Sequence, residues 1–253
     1  MKIVVIGGHG RLGSKLVEKL DEHGHDAVPA DLGTGVNTIT GEGLAEAFAG
    51  ADVVIDVSNS PSFEDAAVME FFQTSTRNIL AAEQAAGIGH HVALSIVGAD
   101  RLPNSGYLRA KVAQEQLIVQ SPVPYSIIRA TQFYEFVNSI ADAATEGDTV
   151  RVPPALIQPV AAADVASAVG RTAIGPPVNG VVEVAGPDAF HLDELLRKGL
   201  YARHDPRRVV ADLDARYYGS HLEQRSLLPG SHAQIAETHL HDWLSAVPAG
   251  ATH

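Results

Sequence analysis

There is no cysteine among the 253 residues, which excludes disulfides, thiolate nucleophiles and cysteine-ligated metal sites together. Basic residues are scarce as well. Eighteen Lys and Arg stand against 30 Asp and Glu, for a formal net charge of −12. A protein that tracks a phosphate backbone needs a basic stripe, so no nucleic-acid partner is expected. A small anionic ligand remains compatible, because one helix N-terminus can hold a phosphate inside an acidic protein. No apolar run approaches membrane-spanning length, and the opening run from Lys2 to Ile6 is too short for a signal sequence. The expectation is a soluble, cytoplasmic protein without a membrane partner. None of the 12 histidines falls in an HExxH or comparable ligand spacing, so no metal is expected. No serine sits in a nucleophile elbow, which leaves hydrolase chemistry unsupported. Internal repeats and low-complexity tracts are also lacking.

What is present is alternation. Apolar runs of strand length at 2–6, 26–30, 52–57, 92–97 and 125–129 are separated by helical patterns. That order is the signature of βαβ units on a parallel sheet. Leu12, Leu16 and Leu20 recur at helical spacing, and longer helices are predicted over 64–86 and 107–120. The segment 131–144 carries Phe133, Phe136, Val137 and Ile140 on one helical face. Beyond about residue 147 prolines cluster, at Pro153, Pro154, Pro159, Pro176 and Pro177. A strand at 180–184, a helix from Leu192 and a final helix over 232–244, ending before Pro248, follow. The fold class read from this order is α/β, a Rossmann-type doubly wound parallel sheet with a small C-terminal substrate-binding cap. Residues 1–150 would form the dinucleotide-binding core; 151–253 would supply the remaining sheet elements and the cap, within one structural unit.

Directly after the first strand comes Gly7-Gly8-His9-Gly10-Arg11-Leu12-Gly13. Gly7, Gly10 and Gly13 make a GxxGxxG spacing between a strand and an amphipathic helix. The first glycine permits a tight turn, the second a close approach of pyrophosphate, the third helix-to-strand packing. The unpaired N–H groups of the following helix would point at the phosphates. Gly7, His9, Gly10, Arg11, Leu12 and Gly13 are therefore the candidate cofactor seat. Asp31 lies where the second strand ends, suited to accept hydrogen bonds from the adenosine ribose and to repel a 2′-phosphate. It favours NAD, whereas Arg11 inside the turn suits the 2′-phosphate of NADP. Pro29 interrupts the second strand, where a central strand would donate a hydrogen bond.

Ser95 stands near the end of the fourth strand, and Tyr107 and Lys111 follow at i and i+4 on a helix. An ammonium close to a phenol stabilises tyrosinate, which would bring Tyr107 toward use as a proton donor or acceptor near neutral pH. Ser95 could hold the same substrate oxygen. Lys111 could also bond the nicotinamide ribose.

The order GxxGxxG, Ser, YxxxK resembles the short-chain dehydrogenase/reductase superfamily. The short first turn and the run Tyr125-Ser126-Ile127-Ile128-Arg129-Ala130-Thr131-Gln132-Phe133 look like its atypical NmrA-like branch. So do Val57-Ser58-Asn59-Ser60, Pro159-Val160 before Asp164-Val165, and Val184-Ala185-Gly186-Pro187. The resemblance implies NAD(P) binding, Ser95, Tyr107 and Lys111 as a catalytic triad, and Ser58 and Asn59 lining the cofactor pocket. The expected activity is hydride transfer between nicotinamide and a small carbonyl, alcohol or quinone-like molecule. Gln132, Phe133 and Tyr134 are candidate substrate contacts, although Phe133 and Tyr134 suit a helix core equally well. Two alternatives stay open: a dinucleotide-sensing regulator without turnover, and a reductase or monooxygenase-type tailoring enzyme of aromatic secondary metabolism. A sugar-nucleotide epimerase or dehydratase shares the YxxxK chemistry, but such enzymes usually carry a longer C-terminal domain.

Overall fold

Short runs of Val, Ile and Ala suit a pleated surface buried on both faces, and each of them forms a strand. The computed structural model describes residues 1–246. The order is β1 (Lys2–Ile6), α1 (Arg11–Glu22), β2 (Asp26–Ala30), α2 (Leu44–Phe48), β3 (Val53–Asp56), α3 (Asp65–Ala86) and β4 (His90–Ile96). Then come α4 (Gly106–Gln120), β5 (Tyr125–Ala130), α5 (Val137–Ala143), β6 (Thr145–Glu146), β7 (Thr149–Val152), β8 (Leu156–Ile157) and α6 (Ala162–Ile174). The chain continues through β9 (Gly180–Ala185), β10 (Phe190–His191), α7 (Leu192–Ala202), β11 (Arg208–Ala211), β12 (Gln234–Ile235) and α8 (Leu240–Ala246).

Seven strands form one parallel sheet in the order β12-β9-β5-β4-β3-β1-β2. This is the expected Rossmann-type architecture. The chain turns back at β1: β2 lies on one side of it and β3 on the other. Ligands of open α/β sheets bind at such a switch point, outside the carboxyl ends of the strands. β2 pairs with β1 on one side and, among the described residues, with no strand on the other, so it is the sheet edge. That resolves Pro29, since an edge strand tolerates a residue with no N–H.

Leu12, Leu16 and Leu20 of α1 pack with Val165, Ala166 and Val169 of α6 against β1, β3, β4 and β5. Phe48 and Ile79 cover the other face beside β1 and β2. At the amino end of β4, His91 and Glu83 of α3 meet at 2.7 Å with both side chains at 0% exposure. Burial alone would lower the His91 pKa, but the Glu83 carboxylate and Asp56 outweigh it and hold it above the usual value of 6.5.

Two predicted elements differ. The segment 131–144 is not one helix: Phe133 bridges Val160, Tyr134–Phe136 makes a 3₁₀ turn, and only Val137–Ala143 is α-helical. The last helix begins at Leu240, because Gln234–Ile235 is taken into the sheet as β12, beside β9. Pro248, expected to follow that helix, lies outside the described residues. No helix among the described residues is long and apolar enough to cross a membrane.

Candidate active site

Gly7 leaves β1 with φ +78°, a conformation an L side chain resists, and an added Cβ would stand 3.0 Å from Ser58 Cα. The turns after β1 and β3 thus touch across the switch point. Gly13 is tighter still: a Cβ there would meet the Gly7 carbonyl oxygen at 2.1 Å. Because the clash is with backbone, Gly13→Ala must open the turn. The expected cost is about 1–3 kcal/mol of stability, read from urea unfolding. NADH affinity should fall by at least about tenfold in the same variant.

Gly10 caps α1 without a side-chain hydrogen bond, and no acidic residue occupies its first turn. The first-turn N–H groups of Arg11, Leu12 and Gly13 lack intrahelical partners, which suits a pyrophosphate. Asp31 lies half-buried at the end of β2. Its Oδ2 accepts from the His9 ring at 2.6 Å and from the His9 N–H at 3.3 Å, while Oδ1 accepts from Gly33 N–H at 2.9 Å. Burial would raise its pKa, but these bonds outweigh burial and hold the carboxyl below its ordinary value. Arg11, the first residue of α1, is exposed. The residues present fit a dinucleotide.

At the end of β3, Asp56 is 2% exposed, and its Oδ1 accepts from both the Ser58 N–H at 3.0 Å and the Ser58 hydroxyl at 2.6 Å. Its Oδ2 accepts from Gln114 Nε2 at 2.9 Å. Asn59 Oδ1 in turn accepts from the Tyr107 hydroxyl at 2.9 Å. The Ser105 side chain caps α4, so Tyr107 and Lys111 sit on its first turns as the spacing requires. Their tips part. Lys111 is 4% exposed, and its Nζ donates to the Leu94 carbonyl at 2.8 Å and to Gln114 Oε1. The ammonium also lies 4.4 Å from the Phe72 ring centroid. Burial brings the Lys111 pKa down to about 8, against the opposing charges of Asp56 and Glu115. Burial also pushes Tyr107 up to about 12. That is opposite to the lowering expected from a neighbouring ammonium: Lys111 is turned to Leu94 and Gln114, and Tyr107 packs against Phe63 and Phe72.

Ser95 is 2% exposed and its Oγ has no partner among the described residues. A buried hydroxyl left unbonded is costly, so Ser95 has capacity for an incoming oxygen. Of the candidate substrate contacts, Gln132 is half-buried with an unpartnered Oε1, and Phe133 stacks on Phe136 at 5.2 Å. Tyr134 is core. It is 1% exposed, and its hydroxyl donates to the Thr238 carbonyl at 3.2 Å, which takes it away from any surface a substrate reaches. Asp56, Gln114 and Phe72 did not stand out as site residues in the sequence. A carboxylate ending the apolar run of β3, and a glutamine at i+3 from Lys111, were the available signals.

A Rossmann-type sheet with a glycine-rich phosphate turn at its switch point defines a dinucleotide-binding protein. A family model described as NAD(P)H-binding matches residues 7–172, and the chain belongs to that family. The photosystem II assembly factor Ycf39 of Synechocystis is 28% identical over 149 residues, 53% of this chain. That match spans about half of the relative, 46% of its length. Among solved structures, MoeE5 in complex with UDP-glucose and NAD aligns with a TM-score of 0.75 at 17% identity, covering 97% of this chain and 96% of that one. A short-chain dehydrogenase/reductase superfamily protein from Agrobacterium tumefaciens with bound NAD gives 0.73 at 18%, covering 97% and 95%. The NADPH-dependent quinone oxidoreductase QOR2 of Escherichia coli gives 0.65 at 21%, covering 83% and 77%. At these identities the likeness shows the fold. The family match upholds the expected NAD(P) binding, and the Rossmann-type fold agrees with it. The likeness also removes one argument from length: a protein solved with a sugar nucleotide matches this chain almost end to end.

Proposed function

We propose that the protein is an NAD(P)-dependent oxidoreductase of the short-chain dehydrogenase/reductase type, acting on a small carbonyl, alcohol or quinone-like substrate. The observation that carries this reading is the Tyr107 hydroxyl, held 2.9 Å from Asn59 on the loop that adjoins the phosphate turn. The dinucleotide supplies the hydride when bound. Tyr107 moves the proton at the substrate oxygen, and Ser95 orients that oxygen. With its pKa pushed up to about 12, the phenol is protonated at neutral pH and acts as a proton donor, which suits reduction. Ser58 and Asn59 line the cofactor pocket, and Gln132 and Phe133 face the substrate. Lys111 bonds the nicotinamide ribose once its ammonium leaves Leu94 and Gln114. Asp31 selects NAD over NADP through the ribose hydroxyls.

A second reading has an observation of its own. Lys111 directed inward, onto the Leu94 carbonyl and Gln114, suits a site that binds dinucleotide without turnover, as a redox-sensing regulator would. The deciding experiment follows NADH and NADPH absorbance with a panel of aldehydes, ketones, quinones and UDP-sugars. Turnover with any of them supports the oxidoreductase. Tight binding with no turnover across the panel supports the regulator instead.

A further inference from the structure

Two of the seven phenylalanines are left in water, Phe63 at 70% exposure and Phe136 at 40%; the others are buried or half-buried. A ring so placed forfeits most of the stabilisation that burial brings. Both stand on segments that follow the carboxyl ends of β3 and β5, the strands on either side of β4. Ser95, near the end of β4, falls between them in the sheet order. Phe136 stacks on Phe133 at 5.2 Å, with the planes 12° apart. Phe63 is the one that touches the reactive side chain.

The loop that carries Phe63 is fixed along its length. Ser62 N–H donates to Ser60 Oγ and Glu64 N–H to Ser62 Oγ, both at 3.2 Å. The helix it enters is clamped to the first turn of α4, where Arg109 donates to Asp65 Oδ2 at 2.6 Å. Gly106 leaves room for the same carboxylate, which an added Cβ would meet at 1.8 Å. Held there, the Phe63 ring leans on Tyr107, with centroids 5.6 Å apart and planes at 45°. Phe72 meets Tyr107 edge-on at 5.9 Å, but it is 1% exposed and spent on the core. Of the two rings on Tyr107, Phe63 keeps a free face, and Asn59 of the same loop holds the Tyr107 hydroxyl.

We infer that Phe63 is a substrate-binding residue that determines specificity: its free face stacks on a planar, conjugated ring whose oxygen meets the Tyr107 hydroxyl. The substrate class is then a quinone or an aryl ketone, ahead of an aliphatic carbonyl. Aromatic rings attract one another in offset or tilted arrangements beyond the area they bury. An aliphatic carbonyl gives Phe63 contact area and nothing more. A bound quinone gains one hydride from NAD(P)H and one proton from Tyr107, and leaves as the hydroquinone. The dinucleotide leaves oxidised, and solvent returns the proton to the phenolate. The inference rests on the oxidoreductase reading of the site, which it narrows to one substrate class.

The test is binding without turnover. Protein loaded with NADH or NADPH, whichever binds tighter, is titrated in a calorimeter with 1-naphthol and with decahydro-1-naphthol. The two alcohols share a skeleton and a hydroxyl and differ in planarity, and neither accepts hydride. Wild type is compared with Phe63→Leu, which keeps apolar area, and Phe63→Tyr, which keeps the ring; the position is exposed, so folding is not at stake. Wild type and Phe63→Tyr should bind 1-naphthol about five- to tenfold tighter than its saturated counterpart, and Phe63→Leu should bind the two within about twofold. Equal affinities in wild type, or a preference that survives in Phe63→Leu, would overturn the inference. So would failure of both alcohols to bind the loaded protein. Turnover of aliphatic ketones with no preference for the planar ligand strikes the inference alone. Absence of turnover with any carbonyl or quinone strikes the oxidoreductase reading, and the inference falls with it.

Discussion

Tyr107→Phe should lower kcat for the best substrate of the carbonyl and quinone panel by roughly 10²–10⁴-fold, with NADH affinity changed by less than about threefold. The phenyl ring keeps the packing against Phe63 and Phe72, so the helix and the phosphate turn are undisturbed. What is lost is the hydroxyl and its bond to Asn59. Because burial pushes the phenol up to about 12, the wild-type group holds its proton throughout the neutral range. Reduction in wild type should therefore stay nearly flat from pH 6 to 9 for this group. Oxidation of an alcohol, which needs the phenolate as base, should rise with pH across the same range. Stopped-flow measurement of NADH consumption in the reduction, and of NADH formation from NAD+ in the alcohol oxidation, checks both points in wild type and variant. A variant with unchanged kcat would remove Tyr107 from the chemistry and leave the regulator reading as the stronger one.

The largest effect on stability is expected far from the phosphate turn. His91→Leu leaves Glu83 at 0% exposure without its partner, and removing one member of a buried pair costs about 3–5 kcal/mol. The double variant Glu83→Leu/His91→Leu should recover much of that loss, since no uncompensated carboxylate remains. Urea midpoints of the wild type, the single variant and the double variant measure this directly. The pair also sets a pH dependence. His91 is held above 6.5 in the folded chain, so its contribution is complete below that pH. It is lost as pH rises through the folded value; burial holds Glu83 above its ordinary value too, so the slope should vanish only in the double variant Glu83→Leu/His91→Leu.

The sheet was legible because its central strands are nearly continuous apolar runs. Residues 2–6 and 26–30 were read to the residue, while β3, β4 and β5 shifted by one or two at their ends. The glycine turn was legible because the strand and helix on either side gave its spacing meaning. Pro29 misled only while β2 was taken for a central strand; as an edge strand it is unremarkable. The C-terminal part was harder for a physical reason. Ala236 N–H donates to the Ala185 carbonyl at 2.8 Å, a tertiary pairing that draws Gln234–Ile235 into the sheet and overrides local helical pattern. Tyr134 carried equal claims to core and pocket, and only its contact with Thr238 decides between them. Lys111 shows the limit of spacing most clearly. Positions i and i+4 fix the shared helix face, but not where a four-carbon stem ends. The Leu94 carbonyl, Gln114 and the Phe72 ring draw the ammonium inward, and none of them is visible in a YxxxK pattern.

The central claim is that the turn from Gly7 to Gly13 seats a dinucleotide whose ribose is read by Asp31. Fluorescence titration of wild type and Asp31→Ala with NADH and NADPH at one neutral pH tests it most directly. The account predicts micromolar binding of NADH to wild type with weaker NADPH, and a loss of that preference by at least about tenfold in Asp31→Ala. If neither nucleotide bound below about millimolar concentration, the turn would have only a structural role and the account would be contradicted at its root.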